Sequence, residues 1–315
     1  MDSRSLRADA LLLLTAVIWG AAFVAQRMGM DNVGPLTFNG IRFLLGALAL
    51  VPLARSRRRA AAATAAAGGK APATDLADYL QPCGVAGVAL FTGATMQQVG
   101  LVYTTAGKAG FITGLYVVLV PLLARFLGTK TSLGSWLGAV TAAAGLYLLS
   151  VNEDFSIAPG DTLVLIGAFF WANHVILVGR YAQRLEPVTF SIGQFAVCGL
   201  FSLVGALSQE TITAAGLRGA LVPIAYGGLI SVGIGYTLQV VAQKDAPPTH
   251  AAILLSLEAV FAAWTGRWLL GETMTWRATG GSALMLAGCL LAQLWPSPAG
   301  PTPASAEGSA SSRTP

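Results

Sequence analysis

The chain has 315 residues, of which 55% are hydrophobic and only 10% are charged. Soluble globular domains usually carry about 25% charged residues, so this composition excludes an ordinary soluble domain and favours a protein that lies in a lipid bilayer. The formal net charge is +5, but the Lys and Arg residues lie between apolar runs and not along one face, so the charge does not predict nucleic-acid binding.

Ten apolar runs along the chain predict membrane-spanning helices. A helix needs roughly 20 apolar residues to cross about 30 Å of hydrocarbon. The runs are also longer and more uniformly apolar than the alternating segments of a membrane β-barrel. The expected fold is therefore an all-α integral membrane protein. In chain order the runs are 8–28, 34–54, 80–101, 106–127, 132–150, 161–180, 188–208, 219–242, 249–270 and 277–295.

Two segments differ from the apolar runs in composition, and the basic residues of the connections indicate the orientation. The segment 55–78 is an Arg cluster followed by Ala and Gly, and the tail 296–315 is rich in Pro, Ser and Ala, so both are predicted to be flexible. If the N-terminus, residues 1–7, is cytoplasmic, thirteen Lys and Arg residues fall inside and five outside, with Arg42 left within a span. Because cytoplasmic segments carry the excess of basic residues, both termini are predicted to be cytoplasmic.

The chain repeats itself at a fixed distance. Residues 35–43 read PLTFNGIRF and residues 187–195 read PVTFSIGQF, with starting points 152 residues apart (187 − 35). Trp19 and Trp171 are also 152 residues apart. The two copies differ in charge, because Gln194 in the second copy stands where the first copy has Arg42.

Further along the chain the offset between the copies falls to 142, which aligns Gln97 with Gln239. The difference of ten residues fits an insertion in the loop 55–78. The two copies, 8–150 and 161–295, then have five spans each. An odd number of spans turns the second copy upside down in the membrane, an arrangement typical of secondary transporters with the substrate site near the midplane.

Several stretches resemble the drug/metabolite transporter superfamily, specifically EamA-type transporters. They are TAVIWGAAFVAQR, PLTFNGIRFLLGAL, TTAGKAGFITGLYVVLVPLL and LLSLEAVFAAWTGRWLLGE. The resemblance covers about residues 8–295 and implies ten helices in two inverted five-helix repeats. It also implies movement of small organic solutes, often export of amino acids, metabolites or drugs. One departure is Ala259, which stands where the family often has Pro, so the sequence gives no reason to assume a broken helix there.

Two charged residues lie deep inside spans, far from either end, where an unpaired charge is costly. Glu258 lies about 13 Å into its span at about 1.5 Å per residue. Its side chain is a candidate site for a substrate amine or a proton, and a structural ion pair or a neutral carboxyl is the alternative. Arg42 lies at a similar depth and is expected to be a structural charge that pairs with Glu258. A direct contact with the substrate is the alternative for Arg42.

Uncharged polar and aromatic residues complete the candidate substrate site. Trp19 is a candidate stacking or cation–π wall, with simple packing as the alternative. Either Asn173 or His174 is expected to face the interior of the bundle, because adjacent helical residues point in different directions. His250 precedes Glu258 by eight residues, and Lys108 precedes Tyr116 by the same spacing. The candidate substrate-binding residues are Trp19, Gln97, Tyr116, Asn173, His174, Gln239 and Glu258.

These features predict a secondary transporter that moves a small organic solute, in the export direction, by alternating access between two inverted repeats. A non-transporting membrane sensor or scaffold is the alternative. An enzyme is not expected, since HExxH and GxSxG motifs are absent, and the sequence has no nucleotide-binding P-loop. No cofactor or metal is expected, because Cys83, Cys198 and Cys289 lie singly in apolar runs and read as packing residues.

The expected partners are a small-molecule substrate and the lipid bilayer. Proton coupling and a homodimer are left open. The Ala-, Gly- and Arg-rich composition is typical of a GC-rich bacterial genome, so the expected location is a bacterial inner (plasma) membrane.

Overall fold

In a computed structural model, the structure describes residues 3–66, 75–104, 106–128, 131–150, 159–270 and 275–295. The regular structure in these ranges is helical throughout. The helices are α1 (Ser3–Met30), α2 (Pro35–Ala66), α3 (Ala77–Tyr103), α4 (Ala106–Gly114), α5 (Tyr116–Phe126), α6 (Leu133–Ser150), α7 (Pro159–Tyr181), α8 (Pro187–Gln209), α9 (Ala214–Gly219), α10 (Leu221–Ala225), a π-helix (Tyr226–Tyr236), α11 (Thr237–Ala242), α12 (Pro248–Leu255), α13 (Glu258–Leu270) and α14 (Trp276–Leu294).

Eight helical segments in the described ranges are long and apolar enough to cross a membrane. The two remaining predicted runs form the shorter apolar helical segments Leu133–Leu148 and Thr279–Ala292. The prediction of an all-helical, multi-pass membrane protein is therefore confirmed.

Helices from different parts of the chain pack side by side. Helix α2 packs along α8, and α6 packs along α14. Helix α3 packs on α7, while α1 packs on the π-helix and on α13. The contact between α6 and α14 is especially close, since a Cβ atom added at Gly145 would lie 2.6 Å from the carbonyl oxygen of Gly281. Small residues therefore allow the two backbones to touch.

Two membrane helices are interrupted at matching positions. Leu115 separates α4 from α5, and Ser256 and Leu257 separate α12 from α13. At both points the backbone tightens to hydrogen bonds between residues three apart, from Leu115 N–H to Ile112 and from Leu257 N–H to Leu254. The second break was not assumed from the sequence, because no proline follows Glu258. The tight turn forms it without proline.

The second half of α2 differs from the prediction. Helix α2 continues to Ala66, so residues 55–66 of the predicted flexible loop are helical. The physical reason is composition, because Ala and Arg are among the strongest helix formers. Residues 67–74 and the predicted tail 296–315 lie outside the described residues.

The π-helix Tyr226–Tyr236 lies in the middle of a run that was expected to be an ordinary helix. π-Helices are rare, are mostly single turns within α-helices, and are often found at functional sites. Four of its eleven residues are glycines. A Cβ atom at Gly235 would lie 2.8 Å from Nε1 of Trp19, so the absence of a side chain there makes room for the indole.

The repeated segments 35–43 and 187–195 both begin at a helix start that a glutamate caps. Glu186 precedes α8, and its carboxylate accepts hydrogen bonds from the N–H groups of Val188 and Thr189. In the first copy the capping position is Gly34. Glu210, at the far end of α8, accepts 2.8 Å hydrogen bonds from Leu36 N–H and Thr37 N–H. In both helices the N–H groups of the second and third residues are therefore capped by a glutamate. In the second copy this glutamate directly precedes the helix, whereas in the first copy it comes from the end of α8.

Glu186 is expected to make stability depend on pH. Burial alone would raise its pKa, but hydrogen bonds from Thr189, Val188 and Arg57 outweigh burial and lower the pKa below the ordinary 4.5. The contribution of the Glu186 carboxylate to the free energy of unfolding is therefore complete above its pKa in the unfolded chain. It is lost as the pH falls through the lower pKa of the folded chain. Glu186→Ala should cost about 1 kcal/mol of unfolding free energy near neutral pH. Thermal unfolding should show a larger difference between Glu186→Ala and the wild type at pH 7 than at pH 3; an equal loss at both values would contradict this role of Glu186.

Candidate functional site

A buried cavity lies between α1, α2, α3, α4, α5, α7, the π-helix, α11 and α13. Its volume of about 30 Å³ has room for only one or two water molecules. Most of the predicted residues line it: Trp19, Arg42, Gln97, Tyr116, His174, Gln239 and Glu258. Asn173 is the exception, because its side chain donates a hydrogen bond to the Phe169 carbonyl on the exposed side of α7.

Glu258 and Tyr116 meet across the cavity. The Tyr116 hydroxyl donates a 3.0 Å hydrogen bond to Oε1 of Glu258, and both residues are buried. Each is the first residue after a helix interruption, and they are 142 residues apart (258 − 116). The two breaks therefore bring equivalent positions of the two copies into direct contact at the cavity.

Arg42 is buried in the same cavity, with 2% of its surface exposed. Its Nε donates a 3.0 Å hydrogen bond to Asn39, and its guanidinium lies 4.9 Å from the ring centre of Phe43. No described carboxylate lies within 4.0 Å of it, so the predicted ion pair with Glu258 is wrong. The physical reason is that each charge has another partner: an amide and an aromatic ring for Arg42, and a phenol for Glu258.

Aromatic rings form one wall of the cavity around Tyr236. Its ring centre lies 4.4 Å from that of Trp19 and 6.1 Å from that of Trp171, with which it is stacked. The Trp19 indole N–H also donates a 3.3 Å hydrogen bond to the Ser231 carbonyl in the π-helix. Trp171 and Tyr236 were missing from the predicted site. The 152-residue match to Trp19 could have identified Trp171. The position of Tyr236 in the cavity wall depends on the π-helix, of which it is the last residue.

Gln97 ties several helices together. Its Oε1 accepts hydrogen bonds from the Trp171 indole N–H at 2.9 Å and from the Thr113 hydroxyl at 3.3 Å. Its Nε2 donates to Gln26 Oε1 at 3.2 Å. Gln97 therefore connects α1, α3, α4 and α7. Gln26 and Thr113 also line the cavity, and sequence reasoning missed both.

The matching Gln239 has a different environment. Its Nε2 donates a 2.9 Å hydrogen bond to Gln243, while its Oε1 has no partner among the described residues. That carbonyl oxygen is a buried acceptor in the cavity wall, where an unpaired polar atom is costly. Nearby, the His174 ring lies 2.8 Å from Oε1 of Gln194, the residue that corresponds to Arg42.

Polar pairs lie at both ends of the bundle. At the end that also holds Glu186, Nε2 of His250 lies 2.6 Å from Oδ1 of Asp9, which joins α12 to α1. At the opposite end the Thr104 hydroxyl donates to Asp161, which joins the end of α3 to α7. Asp9 and Asp161 are 152 residues apart (161 − 9). Equivalent carboxylates of the two copies therefore form polar pairs at opposite ends of the bundle.

The chain matches the EamA-like transporter family over residues 6–151 and 158–294. A transporter of Archaeoglobus fulgidus named as uncharacterized is 29% identical over 297 residues, which cover 92% of this chain and 87% of that protein. The threonine/homoserine exporter RhtA of Escherichia coli is 28% identical over 140 residues, 43% of this chain and 46% of that protein. A crystal structure with 18% identity has a TM-score of 0.71 and covers 91% of this chain and 96% of that chain, which shows the fold alone. Because the family match extends over both copies, the chain belongs to the EamA-like transporter family and is a membrane transporter.

Proposed function

We propose that the chain is a secondary transporter that exports a small organic solute bearing both an amino and an acidic group, such as an amino acid. The solute binds in the central cavity, which opens alternately to the two sides of the membrane. The observation that carries this proposal is the cavity itself, because it exposes one carboxyl group, Glu258, and one guanidinium, Arg42, that do not pair with each other.

The chemistry of the cavity supports a solute with two unlike ends. A carboxylate matches an ammonium group, and a guanidinium matches a carboxylate through charge-assisted hydrogen bonds. The aromatic wall around Tyr236 supplies an apolar surface between them, and Oε1 of Gln239 can accept a further hydrogen bond. RhtA, whose name describes an amino-acid exporter, supports the same class of solute and the same direction.

The packing of the helices supports alternating access between two inverted halves. We propose ten membrane-spanning helices in two five-helix halves, 8–150 and 161–295, with α6 and α14 as the fifth and tenth. A twofold exchange of the halves preserves the most extensive helix pairs. It maps α2–α8 and α6–α14 onto themselves, and maps α3–α7 onto the pair of α1 and the π-helix. The matching breaks at Leu115 and Leu257 fit the same exchange.

The size of the cavity supports a closed conformation. A space of about 30 Å³ is too small for an amino acid, so the halves have to separate before a solute enters. We propose that both termini are cytoplasmic, in a bacterial inner membrane, which places the Asp9 end inside. No P-loop is present to use ATP, so a solute or proton gradient supplies the energy, and Glu258 is the candidate proton carrier.

The test is a solute screen in proteoliposomes made with the full-length chain. Zwitterionic amino acids should show saturable flux, while amines without an acidic group and acids without an amino group should move more slowly. Asn173→Ala is the matched control, because Asn173 lies near the cavity in sequence but its side chain lies outside. Its flux should equal that of the wild type. An absence of saturable flux for every solute would favour a sensor or scaffold.

The two polar pairs at the ends are expected to act as gates. Asp9→Asn weakens the pair with His250, so the cavity should open more often at the Asp9 end. The reporter is a cysteine at Leu12, one turn from Asp9, in a chain whose native cysteines are replaced. Leu12 is buried, and its labelling by a water-soluble maleimide should increase roughly fivefold, since the lost interaction contributes about 1 kcal/mol.

The opposite end provides the control for this prediction. Val164 is the buried equivalent of Leu12, 152 residues further on, and lies one turn from Asp161. Asp161→Asn should increase labelling of a cysteine at Val164 without increasing labelling at Leu12. Equal increases at both positions for either variant would mean that the substitutions loosen the whole bundle and that the pairs are not gates.

A further inference from the structure

A second hollow lies at the Asp9 end of the bundle, between α2, α3 and α8. Its volume is about 420 Å³, and it shares no lining residue with the central cavity. Its walls are mainly apolar and include Val51, Leu80, Ile192 and Val197. Leu80 is 73% exposed, so the wall is accessible from outside the bundle. We call this hollow the α2–α3–α8 groove.

Two arginines line the rim of the groove. Arg55 and Arg58 are three residues apart on α2, so they lie on the same face of the helix. Both are exposed, and neither makes a hydrogen bond or an ion pair with another described residue. Arg57, between them, does have a partner, since its guanidinium lies 3.0 Å from Glu186. The rim therefore carries two guanidinium groups without a partner in the described chain.

The acidic residues nearest in sequence do not occupy the groove. Asp75 and Asp78 lie at the start of α3, where the Asp78 carboxylate accepts a hydrogen bond from the Asp75 N–H. Neither residue lines the groove. The lining thus combines a long apolar wall with positive charge at one end only.

We propose that the α2–α3–α8 groove binds an anionic phospholipid, with its phosphate between Arg55 and Arg58 and an acyl chain along Leu80, Ile192 and Val197. Guanidinium groups bind phosphate through charge-assisted hydrogen bonds. Basic pockets between membrane helices are typical sites for anionic headgroups. A free phosphate would use the arginines alone and would leave the apolar wall uncovered. The charge and the wall together therefore favour a lipid.

The position of the groove predicts that a bound lipid stabilises the chain. Helices α2 and α3 belong to the first copy of the repeat, and α8 belongs to the second. A lipid seated there contacts both halves next to the Arg57–Glu186 pair. Its binding should raise the thermal stability of the chain and depend on the arginines and on the shape of the groove.

The test is native mass spectrometry and thermal unfolding of the delipidated full-length chain with added phosphatidylglycerol or phosphatidylcholine. The wild type should bind phosphatidylglycerol more tightly. The double variant Arg55→Ala/Arg58→Ala should lose about tenfold or more in affinity for phosphatidylglycerol. Gly84→Leu keeps both arginines but fills the groove, because a Cβ atom at Gly84 meets nothing within 4 Å. It should weaken phosphatidylglycerol binding by a similar factor without loss of folding.

Two controls decide whether the site is specific. Arg180→Gln/Arg184→Gln removes the same charge elsewhere at that end and should leave phosphatidylglycerol binding unchanged. Inorganic phosphate alone should neither bind nor compete. Equal losses for the two arginine pairs would overturn the proposal in favour of general charge attraction. Full competition by inorganic phosphate, or unchanged lipid binding in Gly84→Leu, would overturn the lipid site as well.

Discussion

Glu258→Gln is expected to lower saturable solute flux by about tenfold or more while the chain still folds. Glutamine keeps the shape of the side chain and can still accept the hydrogen bond from the Tyr116 hydroxyl. It removes the negative charge that we propose binds the ammonium group of the solute. A hydrogen bond to a charged group contributes about 1.5–3 kcal/mol, and each 1.4 kcal/mol corresponds to a factor of ten. Initial rates over a range of solute concentrations in proteoliposomes measure the loss.

Tyr116→Phe is the matched variant for Glu258→Gln. It removes the hydroxyl partner but keeps the carboxyl group, so its flux should fall less than that of Glu258→Gln. Wild-type flux in Glu258→Gln would contradict the role in solute binding. The proton role has its own readout, since an inward or outward pH gradient should no longer drive transport in this variant. Full pH-driven transport in Glu258→Gln would contradict the proposal that this carboxyl group carries the proton.

Arg42→Gln is expected to reduce transport of carboxylate-bearing solutes by about tenfold, mainly through KM, because it removes the guanidinium that matches the carboxylate. Glutamine is the residue that the second copy carries at the equivalent position, Gln194, where it is buried in a similar helix. The variant should therefore fold. Flux of amines without a carboxylate should change little.

Arg42→Ala separates a structural role from a role in binding. It leaves a hole beside Phe38 and Phe43, so its unfolding free energy should fall by roughly 2–4 kcal/mol. Thermal unfolding of both variants measures stability independently of transport. If Arg42→Gln transports every solute like the wild type while Arg42→Ala is destabilised, Arg42 is a structural charge only, as the sequence first suggested.

The sequence predicts the membrane fold well because the bilayer imposes a simple rule. Long apolar runs have to form helices there, since the hydrocarbon offers no partner for unpaired backbone groups. The runs around Trp19 and Trp171 are therefore recognisable without any tertiary contact. The family was recognisable from the same stretches, and the match over 6–151 and 158–294 confirms it.

The details of the cavity could not be predicted because they depend on contacts between distant residues. The expected pair of Arg42 and Glu258 rested on similar depth alone, and depth does not show that Tyr116 lies closer to Glu258. The choice between Asn173 and His174 depended on the rotation of α7, which packing against α3, α4 and α5 decides. Likewise, nothing near Gly34 indicates that Glu210, 176 residues away (210 − 34), caps the helix that follows it.

The most direct test of the central account is counterflow of an amino acid across proteoliposomes that contain the full-length chain. Vesicles are loaded with unlabelled solute and diluted into a trace of labelled solute. If one cavity between Arg42 and Glu258 opens alternately to the two sides, labelled solute should accumulate transiently inside, and Glu258→Gln should slow this accumulation by about tenfold or more. Flux that equilibrates without any transient accumulation in the wild type would contradict alternating access through a single site.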